Sequence, residues 1–376
     1  MIAAMHITHA TDQHVWDTFL ASQPWSPFLQ SWTMGEVYHD IHQRPIRLIA
    51  ELHGTVHGIC FGHLVPARRG KHLAIPYGPI IDESVNEHDA TLITQGFIAA
   101  LKKEAKKLGC SFIRVSPFWA QGRHHAAEEA LGRMESPLHL LAEHVWYLPL
   151  LEKGEKARKE EEILMGMRKT TRNLIRRAER DGVTVRASNN ATKDLKHFLV
   201  LHEETRKRHG FTPYSDAFFA SQVERFSKRK ECTLYLAEYQ GKVISASIHM
   251  HCFGETSYHH GASDSEHSKI PASYLLQWTA ICDALKRGDR IYNFWGIAPI
   301  TSPTPDPSPE GGGAPLSPLG GKGLGDRGHP FSGVTLFKTG FGGTVLNLVH
   351  CKDTPVTKKY WLTYAFERVR KWRRGF

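Results

Sequence analysis

The sequence predicts an α/β protein made of two copies of one unit, and two parallels within it carry the prediction. "LIAELHGTVHGICFG" (48–62) runs alongside "YLAEYQGKVISASIH" (235–249). In each, an apolar strand reaches Ala-Glu, turns at a glycine (Gly54 or Gly241) and resumes as a second β-rich strand, which is a hairpin signature. "ATLITQGFIAALKKEAKKLGCSFIRVSP" (90–117) likewise parallels "ASYLLQWTAICDALKRGDRIYNFWGIAP" (272–299). Each reads as an amphipathic helix with apolar residues every three or four positions, a glycine at its end and a buried strand reaching a proline. The order hairpin, further strand, helix, strand therefore occurs twice. A length of 376 residues, too great for one ordinary core, agrees with two domains. The expected division is 1–150 and 151–354, with a C-terminal helix over 355–376 packing back on the first domain.

Composition narrows the functional classes. Hydrophobic content of 41% and charged content of 23% are those of a globular protein. No run of about 18 apolar residues reads as a membrane span, and "MIAAMHITHATDQHVW" lacks the basic start and apolar stretch of a signal peptide. Cys60, Cys110, Cys232, Cys252, Cys282 and Cys351 stand singly, as reduced buried thiols do, and a cytoplasmic location is expected. The histidine pairs in "RHHAA" and "YHHGA" lack the carboxylate-supported spacing of a metal site, so no metal is expected.

The formal charge of +10 concentrates in two places. Seven basic residues lie between Ile163 and Arg186, and seven more between Lys358 and the end. Such clusters favour RNA, nucleotide phosphates or acidic lipid, against the plain alternative of solvated helix faces. The first cluster predicts one helix over "EEILMGMRKTTRNLIRRAERDGVTVR", with Leu164, Met167, Thr171, Leu174, Ile175 and Ala178 buried and Gly182 stopping it. Arg168, Arg172, Arg176 and Arg180 recur at every fourth position on another face. The second cluster, "KKYWLTYAFERVRKWRRGF", is a basic amphipathic helix that suits acidic lipid or RNA, while packing of its aromatics on the first domain explains them equally. Residues 301–330 hold seven prolines and eight glycines and read as a disordered insertion.

"LAIPYGPIID", "MRKTTRNLIRRAERDGVTV", "YHHGASDSEHSKIPASYLLQWTAICDALKRG", "IYNFWGI" and "GVTLFKTGFGG", in this order, resemble the FemABX group. The resemblance covers the chain from about Gln30 to the C-terminus, apart from the Pro/Gly insertion. It implies two tandem domains related to the acetyltransferase (GNAT) fold, each a mixed, largely antiparallel sheet flanked by helices. It implies an aminoacyltransferase that takes an amino acid from aminoacyl-tRNA to the amine of a peptidoglycan-precursor peptide, nucleotide- or lipid-linked, without cofactor. Peripheral contact with the inner membrane face would suit a lipid-linked acceptor. By the same resemblance Lys338 and Phe337 belong to the catalytic site, and Tyr258, Gly261, Arg172, Arg176, Arg208, Tyr214 and Gln30 to substrate binding. The chain keeps Gln30, Ser31 and Trp32 but has Glu36, Val37 and Tyr38 where the group's phosphate-binding lysine is sought.

Aminolysis of an ester passes through a tetrahedral intermediate with a negative oxygen, which a positioned cation stabilises. "GVTLFKTGFGG" is read as a short apolar strand that turns Lys338 into a cleft for this purpose, with Gly340 and its neighbours opening the cleft floor. Asp264 and Glu266 are the side-chain candidates for a base, and Trp278 and Trp295 are assigned to the core. The competing reading is an acyl-CoA N-acyltransferase acting on an envelope sugar. Its pyrophosphate loop is absent, with "NEHDAT" and "EHSKIPAS" in the two equivalent places.

Overall fold

The structure, a computed structural model, describes residues 5–67, 70–123, 125–132, 134–152, 156–209, 214–299 and 332–374. The predicted insertion at 301–330 lies outside the described residues. The first half runs β1 (Met5–His9), α1 (Gln13–Ser22), α2 (Trp32–Asp40), β2 (Pro45–Leu52), β3 (Thr55–Val65), β4 (His72–Pro76), β5 (Ile80–Ile81), α3 (Glu87–Lys107), β6 (Phe112–Ser116), α4 (His125–Leu131) and β7 (Met134–Glu135). Then come β8 (His144–Pro149), α5 (Glu160–Gly166) and α6 (Lys169–Arg180). The second half holds β9 (Thr184–Ala187), α7 (Ala191–His209), α8 (Asp216–Lys228), β10 (Cys232–Tyr239), β11 (Lys242–Cys252), β12 (Glu255–Ser263), α9 (Ala272–Arg287) and β13 (Ile291–Gly296). It ends with α10 (Ser332–Thr339), β14 (Thr344–Asn347), β15 (Lys352–Pro355) and α11 (Tyr360–Arg374).

The sequence parallels become structural ones. In the β2–β3 turn both His53 and Gly54 have positive φ, 52° and 77°; in the β10–β11 turn Gln240 and Gly241 have 50° and 77°. Two successive positive φ values make the type I′ turn, whose twist matches that of the flanking strands. Each hairpin also shifts register at the same place, between Ala50 and Glu51 and between Ala237 and Glu238. Gly109 and Gly288, just beyond α3 and α9, have φ of 67° and 79°.

Two mixed sheets result, in the orders β1-β2-β3-β4-β6-β15-β7, with β5 beside β3, and β14-β8-β13-β12-β11-β10-β9. Each has one parallel pair, β4 with β6 and β12 with β13, among otherwise antiparallel neighbours. Side chains alternate across a strand, and the alternation divides the core into three. Ile49, Ile59 and Phe61 of the first sheet and Leu234, Leu236 and Ile248 of the second face a shared middle layer with α1, α2, α7 and α8. Leu48, Ala50 and Cys60 face α3 and α4. Tyr235, Ala237 and Ile244 face α6 and α9. The chain is thus helix, sheet, helix, sheet, helix in section, and the middle layer belongs to both halves.

Two strands cross the expected division at residue 150. β8, from the first half of the sequence, lies between β13 and β14 in the second sheet. β15, from the second half, lies between β6 and β7 in the first. Arg114 of β6 latches this exchange: its Nε and one terminal nitrogen each donate to Asp353 of β15 at 2.8 Å, and the guanidinium also donates to Glu367 of α11 at 2.7 and 3.2 Å. Arg114 is 5% exposed and Asp353 0%.

The predicted single arginine helix is two helices, broken at Met167–Arg168. There the Arg168 N–H donates to the Gly340 carbonyl at 2.9 Å, and its guanidinium donates to the Thr339 hydroxyl at 2.8 Å. Tertiary bonding to the end of α10 overrides local helix propensity at that point. Removing one member of a buried ion pair leaves the other charge uncompensated. Asp353→Ala is therefore expected to lower the free energy of unfolding by about 3–5 kcal/mol, as read from urea denaturation.

A candidate active cleft at the splayed edge of the second sheet

β12 and β13 pair in parallel only from Glu255–Ser257 to Ile291–Asn293. Beyond those residues β12 stays with β11 and β13 with β8, so the two strands part and leave a wedge. In the first sheet the corresponding pair, β4 and β6, stays together over all five residues of each strand. The halves are therefore unequal, and the opening lies in the second. At its edge Trp295 has φ 69° and the register of β13 shifts, while Asn293 Oδ1 accepts from the Trp295 N–H at 2.7 Å. A non-glycine residue held in this conformation stores strain of a kind that clusters at functional sites.

Lys338 closes one mouth of the wedge. The expected strand around it is the helix α10: Thr335, Lys338 and Thr339, at i, i+3 and i+4, form its buried face, which short apolar runs in a sequence do not reveal. Lys338 is 7% exposed; its Nζ donates to the Gly296 carbonyl of β13 at 2.6 Å and lies 6.0 Å from the centre of the Tyr258 ring. Burial pulls its ammonium down to about 7, so near neutrality it is a proton carrier as much as a fixed cation.

Tyr258 lies along its own strand, over Gly261. A Cβ at Gly261 would fall 1.8 Å from the Tyr258 hydroxyl, which explains the Tyr-x-x-Gly spacing. Burial lifts the phenol to about 12, so it remains a donor. Beneath it runs a buried polar line: Tyr292 donates to Gln277 Oε1 at 2.5 Å, His249 Nε2 meets the Tyr292 hydroxyl at 2.8 Å, and Ser247 meets His249 Nδ1 at 3.3 Å. Phe337 packs on Tyr274 and Phe341, with ring centres 4.9 and 5.3 Å apart.

The other mouth faces the middle layer. A bulge between Ile248 and His249 leaves His259 out of the ladder, and His259 and His260 both turn to that side. His259 lies against Phe28 and Trp295, His260 against Phe219 and Tyr214. Both ring nitrogens of His259 and Nε2 of His260 are buried without a hydrogen-bond partner among the described residues. At the closed end of the wedge Glu255 accepts from Trp25, Ser257 and Asn293, and burial lifts its carboxyl to about 7. Tyr214 was assigned to substrate binding from the sequence and Trp295 to the core, whereas Glu255, His259 and His260 were given no role there; the trace of the two histidines was the "YHHG" run.

The remaining predicted residues separate. Gln30 is fully buried and both ends of its amide bond the backbone: Nε2 donates to Phe61 O and Pro76 O at 3.1 and 2.7 Å, and Oε1 accepts from Phe61 N at 2.9 Å. It fills the ladder where β3 leaves β4, so its assignment to substrate is corrected to a structural one. Gly340 opens no cleft floor either, since its bare side faces the Thr171 hydroxyl, 2.4 Å from an added Cβ. Gly343 similarly lets the chain pass the Tyr147 carbonyl. Arg172 is turned back to cap α5, donating to Met165 O and Met167 O at 3.0 and 2.6 Å. Arg176 is exposed on α6, with Thr170, Arg177 and Arg180 beside it on the outer face of the helix. Tyr214 stacks on Phe218 at 4.3 Å on the histidine side, and Arg208 is exposed near the end of α7. The carboxylates proposed as bases are both ion-paired with Lys242, Asp264 at 3.3 Å and Glu266 at 2.8 Å, and Asp264 also meets His267 Nδ1 at 2.7 Å. Among the described residues, two groups bring three ligand-type atoms within 4.8 Å, His139–Glu143–His350 and Asp264–Glu266–His267, and in both the carboxylates are engaged by the neighbouring cations or imidazoles.

Residues 165–299 match the acetyltransferase (GNAT) domain family. The fold is similar to that of FemX, with a TM-score of 0.73 over 96% of this chain and 100% of that one, at 16% identity. A stretch of 127 residues is 28% identical to the UDP-N-acetylmuramoylpentapeptide-lysine N(6)-alanyltransferase of Weissella viridescens. In fold the chain is FemX-like. The resemblance read from the five motifs is borne out, and so is the two-domain GNAT-like fold. The alanyltransferase match spans 34% of this chain and 37% of the relative. A weaker likeness of fold, TM-score 0.51 at 12% identity, joins 97% of the chain to 97% of L-PGS from Bacillus licheniformis.

Two outcomes test the site. Gly261→Ala is expected to destabilise the protein by about 1–3 kcal/mol through overpacking, and adding Tyr258→Ala is expected to couple with it, the pair costing less than the sum of the singles. The second outcome follows from Lys338. Its pKa is about 10.5 unfolded and about 7 folded, so as pH falls from 10.5 to 7 the unfolded chain takes up a proton that the native chain resists. Stability is lost over that interval and the loss is constant below it. Lys338→Met is expected to narrow or reverse its stability deficit relative to the wild type by a few kcal/mol between pH 10 and pH 6, as measured by urea midpoints.

Proposed function

We propose that this chain is an aminoacyltransferase that moves an amino acid from aminoacyl-tRNA to the amine of a peptidoglycan-precursor peptide or a related envelope acceptor. The observation that carries the reading is Lys338, buried at the mouth of the splayed strands, with an ammonium brought down to about 7. The 28% identity to an alanyltransferase and the GNAT domain match at 165–299 support it.

The acceptor amine arrives largely as ammonium and must lose a proton before it attacks. The neutral Lys338 amine takes that proton, within the range where a base works best near neutral pH. The nitrogen–carbonyl bond then forms, and the protonated lysine and the Tyr258 hydroxyl face the developing oxyanion. The carbon–oxygen bond to the tRNA ribose breaks, Lys338 returns its proton to the leaving oxygen, and the second proton of the attacking nitrogen is released to solvent, leaving a neutral amide. The reaction needs no redox group or carrier. Arg176, Arg177 and Arg180, exposed along α6, suit donor phosphates. A charged-tRNA donor places the reaction in the cytoplasm, and a lipid-linked acceptor would bring the protein to the inner membrane face; no helix among the described residues is long and apolar enough to cross a membrane.

The acyl-CoA reading is less well supported. The connection before α9, where the pyrophosphate would lie, carries Asp264 and Glu266 in place of a glycine nest, and Pro271 stands at the N-cap of α9 with no side-chain cap. Radiolabelled amino acid on charged tRNA, offered with a nucleotide-linked precursor beside a labelled acyl-CoA, tests the reading. Label is expected to move only from tRNA; movement only from acyl-CoA overturns the proposal. Lys338→Ala is expected to lower turnover at least tenfold with the circular dichroism spectrum retained, and to remove the limb of the pH–rate profile near 7. Unchanged turnover would take Lys338 out of the mechanism.

A further inference from the structure

We infer that α11 is a docking surface for an anionic lipid bilayer. The helix is packed inside out. Its inward side is the polar one: Thr363 is buried, Tyr360 is buried with its ring 5.3 Å from that of Phe112, and Glu367 is engaged by Arg114. Its outward side is apolar. Trp361 is 51% exposed, Leu362 77%, Phe366 40%, Val369 49% and Trp372 81%. At 3.6 residues per turn these five and the exposed Ala365 fall in a single arc of about 140°.

Charge identifies the occupant. Lys358 and Lys359 stand exposed just before the helix, Arg368 borders one edge of the arc, Arg370 borders the other, and Arg373 lies at its far end. The one acid in this stretch, Glu367, is turned inward and already paired. An apolar stripe with tryptophan near both ends and basic flanks is the composition of a helix that lies in the headgroup region of an acidic membrane. RNA fits less well, because the middle of the exposed arc is Leu362, Ala365 and Val369, which offer nothing to phosphate. A second copy also fits less well. A stable dimer needs about 800 Å² from each partner, more than one face of a 15-residue helix supplies, and it would oppose two basic flanks. The inference does not depend on the donor or acceptor proposed for the cleft.

The test is flotation of the full chain with vesicles of phosphatidylcholine alone or mixed with phosphatidylglycerol. The wild type is expected to bind the anionic vesicles at least tenfold more strongly than the neutral ones, and 0.5 M salt is expected to weaken that binding. The variant carrying Val369→Asp and Trp372→Ser, both at exposed positions, is expected to lose at least tenfold in vesicle binding while transferring to a soluble nucleotide-linked acceptor at the wild-type rate. Equal binding to both vesicle types, or an unaffected variant, overturns the inference. So does a variant that loses binding to an uncharged tRNA transcript and not to vesicles, or a wild-type dimer in light scattering that the variant converts to monomer. A dead cleft with intact flotation would fail the proposed function alone.

Discussion

Arg114 has its fork fixed on Asp353, with Glu367 completing the contact, in a site almost without water. Bidentate pairing of this kind brings geometric specificity as well as energy, and here it ties β6 to β15 and α11, 239 and 253 residues further along the chain. Without it β6 would end the first sheet as a bare edge. With it, β15 is held as the strand that the first half cannot supply for itself. The reciprocal loan of β8 to the second sheet then sets the position of β13, the strand whose departure from β12 opens the wedge. The cleft is thus a product of the exchange: β13 is drawn toward β8 on one side while β12 is held by β11 on the other.

The wedge also explains why the two halves, built to one plan, are not equivalent. The first sheet keeps its parallel pair closed and uses the nearby gap in β3 for the Gln30 amide, a plug that satisfies backbone groups internally. The second leaves its parallel pair open and lines the gap with groups whose protonation is finely poised. Lys338 and Glu255, both buried, are shifted in opposite directions toward neutrality. Environments that bring different acids and bases to one working range are a mark of catalytic sites. On the opposite mouth His259 and His260 add buried imidazole nitrogens without a hydrogen-bond partner among the described residues, beside the rings of Phe28, Trp295, Tyr214 and Phe219.

Much of the architecture was legible because the two hairpins repeat the same turn chemistry. Ala-Glu-x-x-Gly encodes a bulge followed by two positive φ angles, and the chain spells it twice. Glycines at the ends of α3 and α9 were equally readable. What the residues did not disclose was partnership over long separations. Gln30 looks like a polar residue awaiting a substrate until Phe61 and Pro76 are seen to occupy it. Arg172 looks like a phosphate ligand until the break at Met167–Arg168 gives it two carbonyls to cap. The helix around Lys338 was missed because its buried face, Thr335, Lys338 and Thr339, contains no hydrophobic residue from which a period could be read. The His249–Tyr292–Gln277 line was invisible for a related reason: its members come from β11, β13 and α9, and only the sheet brings them together.

The borrowed strand carries a consequence for how the polypeptide is made. A ribosome releases the first half long before it reaches residues 352–355, so that half must wait, one strand short, while everything after it is translated. Domain-by-domain maturation, the usual economy of a growing chain, is denied to this one. A nascent product interrupted late would carry an unfilled slot beside β6, a template for stray pairing, and would be material for quality control rather than a smaller working protein.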